Sequence, residues 1–434
     1  MGDRAGKLPG SAVRRRLAAS ALALTLLSPG VAFAAPQERE TSFNDISCPA
    51  DQNDIDDPPS GRLSYDVLGI NAAHQFSTGK GIRIGLLDSG VNPDHATLQG
   101  ATIEGGADFT DSDGATTDHF GSGTTYASYL VGRSEGLYPV RGIAPDATIV
   151  PIKIMDRVPE NISGEYLEQT AGRLAEGINW AIDNDLDLVV TALALPRGYD
   201  HLTQAVERAQ QEGLLIIAPA GELTSDDDEP ETEADMARYP ASYDSVLSVT
   251  AVNPDGSSVD SMLRTQSLDV AAPGGNVPGA SNANNNMFCV VSKQGSSSLN
   301  AAINTAGVAA LVMSVHPGES AGMIVHRLQV TAVRPTASLY NSATGWGIID
   351  PSSAINFVDD GTAHGPLSPN FGEQIVPEFV GQDVPDVVPD PQRMTKPLTW
   401  VGLAAGAAIA LALLLVAAGR WRKQAGEEKK PDKS

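Results

Sequence analysis

Basic residues are scarce in this chain: 29 Lys and Arg stand against 53 Asp and Glu, a formal net charge of -24 over 434 residues. A surface of that sign repels phosphate backbones and anionic headgroups, which excludes nucleic acid and acidic lipid as partners for the bulk of the molecule. The excess reads as the solvated acidic surface of an exported protein. Cysteine is scarcer still, at two residues, so at most one disulfide is available. Aromatic residues make up 5% against 41% hydrophobic residues overall, a content normal for a globular core. No internal repeat is present, and the length suits one large domain with flanking segments.

Both ends carry targeting information. Arg14, Arg15 and Arg16 precede an apolar run at 17–27, and Ala32-Phe33-Ala34 supplies a small-x-small cleavage pattern, so residues 1–35 read as a secretory signal peptide. Residues 36–62 are polar, acidic and Pro-containing, the composition of an extended arm. From 358 to 397, prolines among carboxylates make a semi-rigid stalk. Residues 398–419 then run without a charge over a length that spans a bilayer as a helix. Arg420, Arg422 and Lys423 follow, so the positive-inside rule places the tail, 420–434, in the cytoplasm and the large domain outside. The expected protein is single-pass in the cell membrane, with Trp400 and Trp421 at interfacial positions. Cys48 and Cys289 both fall on the exported side, where oxidation is permitted, and are expected to form a disulfide.

Residues 63–357 alternate between two kinds of segment. Apolar stretches at 81–88, 148–154, 186–193, 214–218 and 246–252 read as strands, and 124–131, 165–183, 200–212 and the Ala-rich 300–312 as helices. Strands apolar on both faces, separated by helices, predict an α/β fold with a parallel sheet covered on both sides. Gly307 lets the 300–312 helix approach other backbone closely, as a buried central helix must.

In such a sheet, sites form at the carboxyl ends of strands. Asp88 stands at one, within Leu86-Leu87-Asp88-Ser89-Gly90-Val91. Gly121-Ser122-Gly123-Thr124 opens one helix and Gly295-Ser296-Ser297-Ser298 another. First-turn N–H groups there favour an oxyanion or an activated hydroxyl. An aspartate, a Gly-x-Gly-Thr helix start and a Ser-rich helix start follow the order Asp, His, Ser of subtilisin-type triads.

With those loops, and with Asn92-Pro93-Asp94-His95, Arg141-Gly-Ile-Ala-Pro-Asp-Ala147 and Gly345-Trp-Gly-Ile-Ile-Asp-Pro351, the stretch from Leu63 to Asn356 resembles the subtilases. Within that family it is most similar to the mycosins, membrane-anchored proteases of type VII secretion systems. The resemblance implies a subtilisin-like fold, and membrane secretion-complex proteins or peptide segments as partners. It also locates departures at the chemistry. The family's catalytic histidine falls on Ser122, and serine cannot act as a general base near neutral pH. Anchored on Ala301-Ala302 and Ala306-Gly307, the nucleophile position falls on Leu299. The oxyanion-hole asparagine falls on Glu222, whose carboxylate repels a developing negative charge. The substrate-edge Ser-Leu-Gly reads Ala192-Leu193-Ala194, and only Asp88 keeps its triad identity. His95 reads as a packing or turn residue, and Ser297 and Ser298 as helix-cap residues.

The resulting expectation is a catalytically silent subtilase domain, tethered outside the membrane, that acts as a scaffold or binding subunit beside a type VII-like secretion complex. Two alternatives stay open. One is an active serine endopeptidase using Ser297 or Ser298 with a displaced base, for which His119 is the candidate. The other is an acidic calcium-dependent surface binder built on the carboxylates of 222–235; their spacing matches no ligand pattern, so that loop reads as solvated and no cofactor is expected.

Overall fold

The computed structural model describes residues 63–133, 140–157, 162–223, 237–275, 277–280, 288–291, 296–334, 340–372, 411 and 414–419. The helices are α1 (Leu63–Val67), α2 (Ile70–Ala73), α3 (Ser122–Val131), α4 (Gly164–Asp183), α5 (Asp200–Glu212), α6 (Ser298–Val315), α7 (Ala321–Val330) and α8 (Pro351–Asn356). The strands are β1 (Arg83–Asp88), β2 (Thr102–Ile103), β3 (Ala107–Asp108), β4 (Thr148–Lys153), β5 (Leu188–Thr191), β6 (Leu215–Pro219), β7 (Val246–Val252), β8 (Val270–Pro273), β9 (Val277–Ala280) and β10 (Phe288–Val291). Strands β1 to β8 form one parallel sheet in the order β2-β4-β1-β5-β6-β7-β8, with β3 paired to β4; β9 and β10 form an antiparallel pair. From β1 the chain crosses to β4 on one side and then to β5 on the other. The order therefore reverses at β1, the place where open α/β sheets leave a crevice.

Side chains alternate across a strand, so one strand feeds two cores. In β1, Ile84 and Leu86 enter one core and Leu87 the other; in β6, Leu215 and Ile217 enter the first, Ile216 and Ala218 the second. Both faces then need a cover. Helices α4 and α5 cover one, through Leu167, Ala171, Leu174 and Ile178 and through Leu202, Val206 and Ala209, spaced three or four apart as one helical stripe. Ser163 caps the start of α4 by accepting from Tyr166 N.

Helix α6 covers the other face. Every residue from Ser298 to Val312 is buried, the condition of a helix apolar all round inside a domain. Among the described residues it is the helix long and apolar enough to cross a membrane, yet 83% of it is buried in the domain, so its hydropathy is that of a core helix. A Cβ at position 307 would stand 2.6 Å from Ile143 Cγ2, so glycine there makes room for the Ile143 side chain rather than for the close approach of backbone expected of this helix.

Beyond Phe357, where the stalk is expected to begin, the described residues up to 372 remain tied to α7 and the loop after it. Arg327 donates to Phe357 O (2.5 Å) and Arg334 to His364 O (2.6 Å), while Asp359 accepts from Ser368 Oγ (2.5 Å) and Asn370 Nδ2 (3.1 Å). In the separate C-terminal unit, residues 411 and 414–419 are helical. The rest of the expected span, the signal peptide, the acidic stretch 224–236 and Cys48, the expected partner of Cys289, lie outside the described residues.

Candidate active site

Asp88 ends β1 at the reversal point, and α3 is seated directly against the turn that follows it. A Cβ on Gly123 would stand 1.9 Å from Gly90 O, so glycine in the first turn of α3 allows that seat. Gly90 itself has φ 102, a left-handed conformation that glycine adopts without strain.

The contact brings Ser122 onto Asp88. Asp88 is fully buried; its Oδ1 accepts from Ser122 Oγ and from Ser89 N (2.6 Å), and its Oδ2 has no hydrogen-bond partner among the described residues. Ser122 Oγ also lies 2.8 Å from Ser89 Oγ, which donates to Asp118 Oδ1 at 2.8 Å and accepts from Gly123 N at 3.1 Å. Two serine hydroxyls supply two hydrogens to the three contacts Asp88–Ser122–Ser89–Asp118. The count closes when the Asp88 carboxyl carries the third and donates it to Ser122 Oγ, the reverse of the direction that contact takes when Asp88 is ionised. Burial favours that form: it raises Asp88 from 3.8 to about 7, against the Ser122 hydrogen bond and with help from the Asp118 charge.

Asp118, absent from the sequence-based set, organises this side. It accepts from Gly121 N (2.6 Å), Thr124 N (2.8 Å) and Thr124 Oγ1 (2.6 Å) as well as from Ser89. Asp118 lies three residues before the N-cap Gly121, outside the cap position that a sequence signal marks, and reaches the helix start only because the loop folds back. One turn into α3, Tyr126 is also fully buried; burial, then the charges of Asp88 and Glu222, push its phenol well above the ordinary 10.0.

The start of α6 is closed differently. Glu222 Oε1 accepts from Ser298 N at 2.7 Å and from Ser298 Oγ at 3.3 Å, and Ser297 Oγ accepts from Leu299 N at 3.2 Å. Ser297 thus caps the helix, while Ser298, its first residue, donates both its N–H and its hydroxyl to a carboxylate supplied from 76 residues away. Leu299 is 4% exposed and packs into the core beneath.

The remaining candidates sit elsewhere. His119 is exposed and pairs with Asp113 Oδ2 at 2.9 Å, so its imidazole is engaged at the surface. His95 is buried, with Nδ1 2.8 Å from Thr97 Oγ1 and accepting from Thr97 N, which caps a single turn. Ala192, Leu193 and Ala194 are buried. Among the described residues, Asp113, His119 and Asp156 are the group close enough to hold a metal ion. Buried Lys153 already places its ammonium 2.8 Å from Asp156 Oδ1 and 3.5 Å from Asp113 Oδ1, so a protein cation serves both carboxylates.

Comparison with known proteins gives one answer for the fold. The Subtilase family (Peptidase_S8) model matches residues 79–347. Subtilisin DY of Bacillus licheniformis is 32% identical over 276 residues, which cover 64% of this chain and 91% of that protein. Among solved structures, the MycP3 protease from the type VII (ESX-3) secretion system superposes with TM-score 0.58 at 25% identity, over 74% of this chain and 94% of the other. A chain of an intact ESX-5 inner membrane complex superposes with TM-score 0.57 at 23% identity, over 82% of this chain and 90% of its own length.

Proposed function

We propose, from the premise that the chain belongs to the subtilase family, that it keeps the protease architecture without protease chemistry and serves as a membrane-tethered scaffold or binding subunit. One observation carries this reading: Glu222, at the expected oxyanion-hole position, turns its carboxylate onto the start of α6 and accepts from Ser298 N, where a subtilase would present a donor to an oxyanion. A fixed negative charge there opposes the charge that peptide hydrolysis must develop. The neighbouring positions agree. Leu299, at the expected nucleophile position, has no atom that can attack a carbonyl, and Ser122, at the expected base position, is bound to Asp88. On subtilisin itself, losing an oxyanion donor lowers the rate by roughly 10² to 10³, and losing nucleophile or base by about 10⁶.

The signal segment, the stalk and the uncharged stretch 398–419 support a domain held outside the membrane, with 420–434 inside. Likeness to a chain of an ESX-5 inner membrane complex supports membrane proteins of a type VII-like secretion complex as partners. The active alternative draws no support from His119, which is engaged with Asp113.

A fluorophosphonate probe applied to membranes carrying the full chain tests the chemistry. No labelling is expected; labelling abolished by Ser297→Ala or Ser298→Ala overturns the reading. Native electrophoresis of gently solubilised membranes tests the partnership: co-migration with a large membrane complex is expected, and migration as a lone chain removes the scaffold role.

A further inference from the structure

At the opposite end of the sheet, a cavity of about 400 Å³ opens beside the first residues of β7 and β8. Three of its nine lining residues, Tyr243, Tyr340 and Trp346, are aromatic, in a chain only 5% aromatic. Their rings are held in place: Tyr340 packs edge-on to Trp346 at 5.5 Å and Tyr243 to Tyr239 at 4.9 Å. Two hydroxyls are occupied away from any ligand, Tyr340 at Thr265 O and Gln266 O (3.1 Å each) and Tyr243 at Thr203 Oγ1 (2.8 Å). Ring surface therefore lines the space.

Asp244 and Asp269 supply the charge, and none of the described residues that line the cavity is basic. Asp269 is anchored by Ser248 N (2.8 Å) and Gln329 Nε2 (2.7 Å), so its position is fixed, and among the described residues it forms no ion pair. Burial, then the nearby Asp244, pushes it up to about 7 against those two bonds. Outside the cavity, the Arg334 guanidinium lies 5.6 Å from the centre of the Trp346 ring and donates to the carbonyls of Gln329, Trp346 and His364. It shows that this ring accepts a guanidinium.

We propose that this cavity receives a cationic side chain, arginine or lysine, from a partner polypeptide: aromatic walls take the aliphatic stem and the delocalised charge, and Asp244 and Asp269 take the head. The site is independent of the Asp88 region, and its test does not depend on whether the protein is active.

Calorimetry on the full chain in detergent, with N-acetyl-argininamide and its neutral isostere N-acetyl-citrullinamide, decides the matter. Saturable binding of the first and none of the second is expected. Affinity should strengthen as pH rises through about 7, because a bound cation favours the ionised Asp269. Asp269→Asn and Asp244→Asn should each weaken binding, the former about tenfold; Asp244 is exposed, so its replacement leaves the fold intact. Equal binding of the citrulline analogue, no saturable heat with the arginine one, or unchanged affinity in both variants overturns the proposal.

Discussion

The starts of α3 and α6 pose the same physical problem and solve it from different distances. Each helix begins with N–H groups that have no partner within the helix, and each is closed by an acid. At α3 the acid is Asp118, in the loop four residues before the first helical residue, which also gathers Thr124 and Ser89. At α6 it is Glu222, brought from the far end of β6. The first is a local cap that any helix start could use. The second requires the folded sheet, which brings Glu222 to Ser298. On the reading proposed above, a carboxylate brought there from a distance changes what the helix start can do, whereas the acid at α3 only steadies its helix.

The largest expected effect lies at α6. Leu299→Ala removes a buried core side chain and should cost about 2 to 5 kcal/mol in denaturant unfolding. A loss near zero would show that the residue is not core, and would break the contrast between an α6 start that packs and an α3 start that hydrogen-bonds.

Next is the pH dependence set by Asp88. Its native carboxyl holds a proton up to about pH 7, whereas the unfolded chain releases it near 3.8. The native state therefore binds more protons in that window, and stability falls as pH rises from about 4 to about 7, by a few kcal/mol. Asp88→Asn should flatten this slope, matching the parent in acid and exceeding its stability above pH 7. Asp269, raised to about 7 in the same way, contributes equally to both proteins and cancels in the difference. Thermal melts across that range, with parallel profiles for the two proteins, would show that Asp88 does not carry the proton.

The two caps can be compared directly. Asp118→Asn disturbs contacts with Gly121, Thr124 and Ser89 and should cost ~2 kcal/mol; Glu222→Gln keeps an acceptor but loses the charge at the α6 terminus and should cost ~1 kcal/mol. If the order of the two midpoints reverses, the distant cap is the stronger one. The smallest effect belongs to His119→Ala: its exposed pair with Asp113 should leave stability unchanged, and any fluorophosphonate labelling that this change removed would make His119 a base after all.

Much of this was legible from residue order. Alternation and spacing located β1, β4 to β7 and α3 to α6, because long apolar segments with a clear period leave one solution. The short β8, the pair β9 and β10, α7 and α8 were not legible: Val-Ala-Ala-Pro in β8 is too brief and too weakly β-forming to stand apart from a loop. Within the site, Asp88 and Ser122 were readable as neighbours through the motif order, whereas Asp118, three residues before the N-cap Gly121, was not, because its role depends on the fold of the loop between them. The aromatic cavity was invisible, since Tyr243, Tyr340 and Trp346 share no sequence spacing and meet only where β7, β8 and the 340–346 loop converge.

The sequence by itself determined the kinds of group available: a carboxylate at the end of an apolar strand, small residues at two helix starts, a leucine among serines. Those follow from periodicity and side-chain chemistry, which act over a few residues. Only the tertiary structure decided what the groups do to one another. Removal from water raises Asp88, and a strand crossing delivers Glu222 to Ser298; both effects depend on what is packed nearby, which chain neighbours do not specify.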